Sequence, residues 1–262
     1  MRFVRLSTPS GPRYARLVSD DRAELLSGAP YDVNADGGRA TAEIVTFSKD
    51  DLLEPVTPRK ILCVGRNYAA HAKELGNDVP KEPLLFLKPT SALLRPFGTI
   101  VLPPSTISER VEHEAELAIV IGRTIKNASP DEALRSVFGY TCAGDITARD
   151  LQKKDGQFTR AKGFDTFCPV GPHVETDCDP RDLRVQCFVR DQARQDGRTR
   201  DMVFAVPDLL SYMSHMMTLE AGDLILTGTP EGVGPLVSGD TLRIEIEKIG
   251  ALCTNIAGAP AA

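Results

Sequence analysis

Apolar and polar positions alternate with period two at the start of the chain, in MRFVRL and RYARLV, with the Pro- and Gly-bearing STPSGP between them. That pattern predicts a β-hairpin. A polar stretch, YDVNADGGRA, follows, and DLLEPVTPRK with its two prolines reads as a linker into the main body. KILCVGRNY predicts a buried strand, and YAAHAKELG a short helix closed by Gly76. EPLLFLKP, ELAIVIG, VFGYTCAGDIT, LRVQCFVR, DLILTGTP and TLRIEIEKI read as further strands, the last placing Leu242, Ile244 and Ile246 on one face. Two further helices are predicted in SPDEALRSV, with Ser129 as N-cap and acidic residues in the first turn, and VPDLLSYMSHMM, with Pro207 near its start. Strands outnumber helices without alternating strictly with them. This predicts a mixed, strand-rich α+β fold rather than a doubly wound sheet.

At 262 residues the chain suits one large domain, or a medium domain with a small appendage, and is long enough to bury a sizeable core. A net charge of −5 gives no electrostatic reason to expect nucleic acid or an anionic membrane as partner. The densest basic run, Arg194–Arg200 in RQDGRTR, reads as a solvated turn. MRFVRLSTPS lacks the apolar region of a signal peptide and no segment approaches the length of a membrane span, so a cytoplasmic location is expected. Cysteines 63, 142, 168, 178, 187 and 253 form no C-x-x-C pair and mostly sit in apolar runs, as reduced core thiols do.

The candidate chemistry is acidic. In HEAELAIVIG, Glu114 and Glu116 head an apolar, branched run. On a strand, side chains two apart share a face, so these carboxylates stand side by side and their repulsion calls for a proton or a cation. Asp145 ends a second apolar strand, YTCAGD. Three carboxylates at strand ends suit a hard cation such as Mg²⁺, Mn²⁺ or Ca²⁺. The competing reading is of surface carboxylates at a strand edge. HEAEL has Leu117 where a zinc helix needs its second His, GTPEGVG has the wrong glycine spacing for a phosphate loop, and no G-x-S-x-G elbow exists. His71 and Glu74, at i and i+3, share a helical face, an arrangement that can serve a general base or be an ordinary surface pair.

VGRNYAAHAKELG, EPLLFLKP, HEAELAIVIG, GYTCAGDITARDLQ and ILTGTPEGVGPL come in the order seen in the fumarylacetoacetate hydrolase superfamily. Over roughly residues 60–250 the chain resembles the shorter bacterial members and the acylpyruvase and oxaloacetate decarboxylase branch, together with 2-hydroxyhepta-2,4-diene-1,7-dioate isomerase-like members. The resemblance implies a mixed β-sandwich roll over residues 58–262, a small β-rich N-terminal domain over residues 1–57, a homodimer, and one divalent ion per site. By position it implies Glu114, Glu116 and Asp145 as metal ligands, His71 and Glu74 as a water-activating dyad, Lys162 facing the substrate, and Arg66, Gln152 and Thr229 as polar substrate contacts. Gly144 and Gly163 depart from the asparagine and serine common at those places, a change that bears on pocket shape.

Three carboxylates with one divalent cation leave a charge of about −1, which Lys162 and Arg66 would reverse for an anionic substrate. The expected activity is metal-dependent cleavage of C–C bonds in acylpyruvate-like or β-dicarbonyl 2-oxo acids, in the manner of aromatic catabolism. The alternatives are decarboxylation of oxaloacetate, isomerisation of a dienedioate, or a non-enzymatic relative whose carboxylates form only a surface patch.

Overall fold

The computed structural model describes residues 1–32 and 37–259; part of the polar YDVNADGGRA stretch lies outside them. The expected hairpin forms from strands Arg2–Thr8 and Gly11–Leu17, and strands Arg22–Leu26 and Ala40–Thr46 continue it as a meander. This meander is the flank of an eleven-stranded sheet. Arg2 and Phe3 pair with Glu175 and Val174 on strand Cys168–Glu175, which leads on to Val137–Gly144, Ala115–Ile121, Leu224–Leu226, Ile61–Gly65 and Leu84–Lys88. Most pairs are antiparallel, but Leu224–Leu226 runs parallel to Ile61–Gly65, so the sheet is mixed as expected.

A five-stranded sheet built on Arg184–Val189, Thr241–Ile246 and Gly250–Ala257 faces the long sheet. Leu117, Ile119 and Ile121 point into the core between the two sheets, with Val185, Cys187, Ile244 and Leu252 opposite. Ala118 and Val120, of the other parity, enter a second cluster with Ile61, Cys63, Val170 and Leu226. Burial on both faces explains the unbroken apolar run after Glu116, because no position of that strand meets water. The face is also decided for the acids: Glu114 and Glu116 share the parity of Ala118 and Val120.

Two of the expected helices are Pro130–Arg135 and Val206–Met216, packed against one another. Ser129 caps the first in a full capping box with Glu132. The apolar face of the second is internal, burying Val206, Leu209, Leu210 and Met213. Arg194–Arg200 is not a turn. Gln192–Arg198 is a strand at the edge of the five-stranded sheet, paired along Arg184–Val189, and its charges are the solvent side of that edge. Among the described residues no helix is long and apolar enough to cross a membrane. All six cysteines are free; Cys63, Cys142, Cys168 and Cys187 are buried and Cys178 and Cys253 half-buried.

Candidate active site

Strand Ala115–Ile121 carries Glu116 into the molecule, and Glu114 sits in the one-residue break between it and strand Val111–His113. Asp145 follows strand Val137–Gly144 directly, and its N–H donates to the Glu114 carbonyl at 2.9 Å. Oxygen atoms of the three carboxylates lie within 4.8 Å of one another, and all three residues are buried. An acidic patch on the surface is therefore excluded.

Such a cluster is affordable only with counter-charges. Lys88, at the end of strand Leu84–Lys88, donates to Asp145 Oδ1 at 2.7 Å. Lys162 donates to Glu114 Oε2 (2.9 Å), Asp145 Oδ2 (2.5 Å) and Thr147 Oγ1 (2.9 Å), which uses all three N–H bonds of its ammonium. Arg149 spans Glu112 at 2.6 Å and Glu114 at 2.5 Å. Four buried carboxylates (Glu112, Glu114, Glu116, Asp145) thus face three buried cations (Lys88, Arg149, Lys162), a balance of −1 when all are ionised. Burial resists ionisation of Glu114, yet Lys162 and Arg149 outweigh it and hold its carboxyl below the usual range. Glu116 goes the other way. Burial, then the Asp145 and Glu114 charges, push its carboxyl well above the usual range, with Lys162 and the Gly228 N–H giving partial relief.

Gly228 makes that relief possible. With φ +95°, its N–H reaches Glu116 Oε2 at 2.6 Å, and a Cβ there would stand 2.7 Å from Cβ of Asn67. Asn67 is itself fixed by Phe204 and Thr227. It fastens the turn in which Arg66 takes φ +57°. Helix Ala69–Glu74 follows, burying His71, whose Nδ1 lies 3.3 Å from Glu74 Oε2; Glu74 also accepts from the Gly232 N–H at 3.0 Å.

Around the carboxylates is a cavity of about 310 Å³. His71, Arg66, Gln152, Thr229 and Lys162 line it together with Glu114, Glu116 and Asp145, so every sequence-named site residue except Glu74 reaches its wall, and Glu74 touches it through His71. Arg149, Lys153, Phe86 and Phe158 line it too and have no counterpart in the sequence expectation. Oxygen-only donors, close spacing and one carboxyl that is costly to ionise without a cation fit a hard divalent ion.

Residues 60–257 match the family model for the fumarylacetoacetate (FAA) hydrolase C-terminal region. The chain belongs to the fumarylacetoacetate hydrolase family. Residues 1–55 match a second model, Rv2993c-like, N-terminal. Among relatives, the mitochondrial oxaloacetate decarboxylase of Dictyostelium discoideum is 48% identical over 72% of this chain and 89% of its own length. The mitochondrial oxaloacetate tautomerase FAHD1 of Arabidopsis thaliana is 51% identical over 71% of this chain and 86% of its own. The crystal structure of 2-hydroxyhepta-2,4-diene-1,7-dioate isomerase from Mycobacterium marinum superimposes with a TM-score of 0.89 at 39% identity, covering 100% of both chains. The fold is thus the family's mixed β-sandwich roll.

Neither family departure opens the pocket. A Cβ on Gly144 would meet Pro169 at 2.9 Å and one on Gly163 would overlap the Thr159 carbonyl, and neither glycine lines the cavity.

Proposed function

We propose that the chain is a divalent-metal-dependent enzyme that breaks the C3–C4 bond of short 2-oxo acids carrying a second carbonyl or carboxyl group at C4, the class of oxaloacetate and the acylpyruvates. The observation that carries this reading is the convergence of Glu114, Glu116 and Asp145 inside a cavity whose wall also carries the cationic side chains of Arg66, Arg149, Lys153 and Lys162. Glu114, Glu116 and Asp145 would hold Mg²⁺ or Mn²⁺, with Ca²⁺ as the larger option. When bound, the cation supplies Lewis-acid polarisation of the substrate's 2-oxo end.

The chain's own residues divide the rest of the work. Arg66 and Gln152 bind the substrate's anionic and carbonyl oxygens. Lys162, saturated by Glu114, Asp145 and Thr147, acts as counter-ion to the carboxylates, and a cation taking over those oxygens would free its N–H groups for the substrate. Because Nδ1 of His71 is engaged by Glu74, Nε2 is the atom that exchanges a proton in the cavity. In hydrolysis Nε2 takes a proton from water, the hydroxide adds to the C4 carbonyl, and the C3–C4 bond breaks with its electron pair passing to C3. The proton on Nε2 then goes to C3, giving a 2-oxo acid and a carboxylic acid. In decarboxylation C4 leaves as CO₂, and C3 again receives a proton.

The names of the relatives support the decarboxylation side, and tautomerase and isomerase names fit the same proton movement beside a 2-oxo group. The test is kcat/KM for oxaloacetate and an acylpyruvate at saturating Mg²⁺. General-base loss in His71→Ala should depress hydrolysis by about 10²–10⁴-fold and decarboxylation much less, with Glu74→Gln milder in the same pattern. Equal losses would make His71 an orienting residue. Inertness of the wild-type protein to both substrates, with Mg²⁺ and with Mn²⁺, would overturn the reading.

A further inference from the structure

Gln195 lies outside the cavity, on the strand Gln192–Arg198 of the opposite sheet, and is fully buried. Its amide uses all four of its hydrogen-bonding positions. Oε1 accepts from the Ala115 N–H at 3.0 Å and from His113 Nδ1 at 3.1 Å; Nε2 donates to Thr229 Oγ1 at 2.7 Å and to the Pro230 carbonyl at 2.8 Å. A backbone N–H only donates and a carbonyl only accepts, so these two partners fix which end of the amide is which.

Two assignments follow. His113 carries a proton on Nδ1, since Oε1 at 3.1 Å can only accept and is a stronger partner than the Cys187 Sγ, 3.4 Å from the same nitrogen. Thr229 receives a hydrogen bond from Gln195 and gives its own hydroxyl hydrogen to the Ala115 carbonyl at 2.8 Å. That hydrogen is committed to the scaffold, so Thr229 has no donor to offer a ligand.

What the amide clamps is specific. Ala115 lies between Glu114 and Glu116, and Gly228, next to Thr229, donates to Glu116 Oε2. One side chain from the second sheet therefore fastens the Glu114–Glu116 segment, at the head of strand Ala115–Ile121, to the loop that orients one of those carboxylates. We propose that Gln195 is the positioning residue of the cation site, setting the separation and direction of Glu114 and Glu116, with Thr229 as its relay rather than a hydrogen-bond donor to substrate. This rests on the reading of Glu114, Glu116 and Asp145 as a cation site.

The test is Mg²⁺ affinity by calorimetry on the full chain, with thermal unfolding alongside. Outer partners of metal ligands typically govern affinity by 10–100-fold, so Gln195→Met should weaken Mg²⁺ binding by about tenfold or more. Leu252→Ala, a core truncation in the same sheet, serves as control: it lowers Tm but should leave Mg²⁺ affinity within about twofold, the spread expected of an uncoupled site. Thr229→Val, close to isosteric and less prone to misfold, should weaken Mg²⁺ binding in the same direction, while Thr229→Ser retains it. Combining Gln195→Met with Thr229→Val should add little to the larger single loss, as for groups acting as one unit. Mg²⁺ affinity unchanged in both Gln195→Met and Thr229→Val, or lowered equally by the control, would overturn the proposal while leaving the cation site standing. A wild-type protein that binds no Mg²⁺ would remove the cation site itself, and this inference with it.

Discussion

Glu116 is the residue on which the acid cluster turns. Its carboxyl sits above the ordinary glutamate range because burial and two like charges disfavour its ionised form. A proton held in the folded state and released at lower pH in the unfolded one stabilises the metal-free fold at acidic pH, and that contribution is lost as pH rises from the ordinary value toward the raised one. A cation competes with the same proton. Mg²⁺ affinity should therefore climb with pH over that window and level off above it, and calorimetry in two buffers of different ionisation enthalpy should show about one proton released per ion bound. Binding with no proton release would mean that Glu116 is already ionised or is not a ligand. Asp145→Asn, which keeps the shape and removes the charge, should cut Mg²⁺ affinity by at least about tenfold; unchanged affinity would take Asp145 out of the site. Glu114, Glu116 and Asp145 were legible because period-two spacing and strand ends place them. Lys88 and Arg149 were not. Each is a lone basic residue in FLKP or DITARD, where nothing in the local pattern distinguishes a buried counter-ion from a solvated side chain.

Elements with a clear apolar period and defined ends were readable from the chain, and the helix after Ser129 is the plainest case. Its capping box satisfies N–H groups at the first turn, so Ser129→Ala should cost about 1 kcal/mol of stability while leaving Mg²⁺ binding unaltered, as denaturant titration and calorimetry would show. Elements without that period escaped notice. ARDLQKKDGQFTRAK forms two short helices, Arg149–Asp155 and Thr159–Lys162, broken at Gly156 with φ +67°. They are too short and too polar to carry an apolar stripe, yet they bring Arg149, Gln152, Phe158 and Lys162 to the cavity. The strand Gln192–Arg198 was misread for a related reason: as an edge strand it buries only Gln195, and a single inward amide does not make an alternating pattern.

At the scale of the molecule, the two family matches break between residues 55 and 60, but the long sheet runs across that break. Phe3 and Tyr31 both pack on Phe138, and Tyr31 and Val56 belong to the same cluster as Val170 and Val174. We therefore expect a chain of residues 58–262 alone to expose this apolar face and to aggregate, or to melt well below the whole protein; an equal Tm would show that the N-terminal strands are a separable unit. The homodimer implied by family resemblance is tested by sedimentation at micromolar concentration, where a monomer alone would end that proposal. The internal apolar face of helix Val206–Met216 lends it no support.

The two lysines and the arginine packed among the carboxylates have a consequence for how the protein is made ready. Each carboxylate among Glu112, Glu114 and Asp145 already has a positive partner supplied by the chain, so the fold has no need to wait for an ion. On the proposed reading of the site, synthesis and loading would be separate events. A chelator should empty the site and leave the protein folded, in contrast to small domains that exist only around their metal. An ion held by Glu114, Glu116 and Asp145 would then be exchangeable in a finished molecule, its identity set by the surrounding supply of divalent cations rather than by the moment of folding.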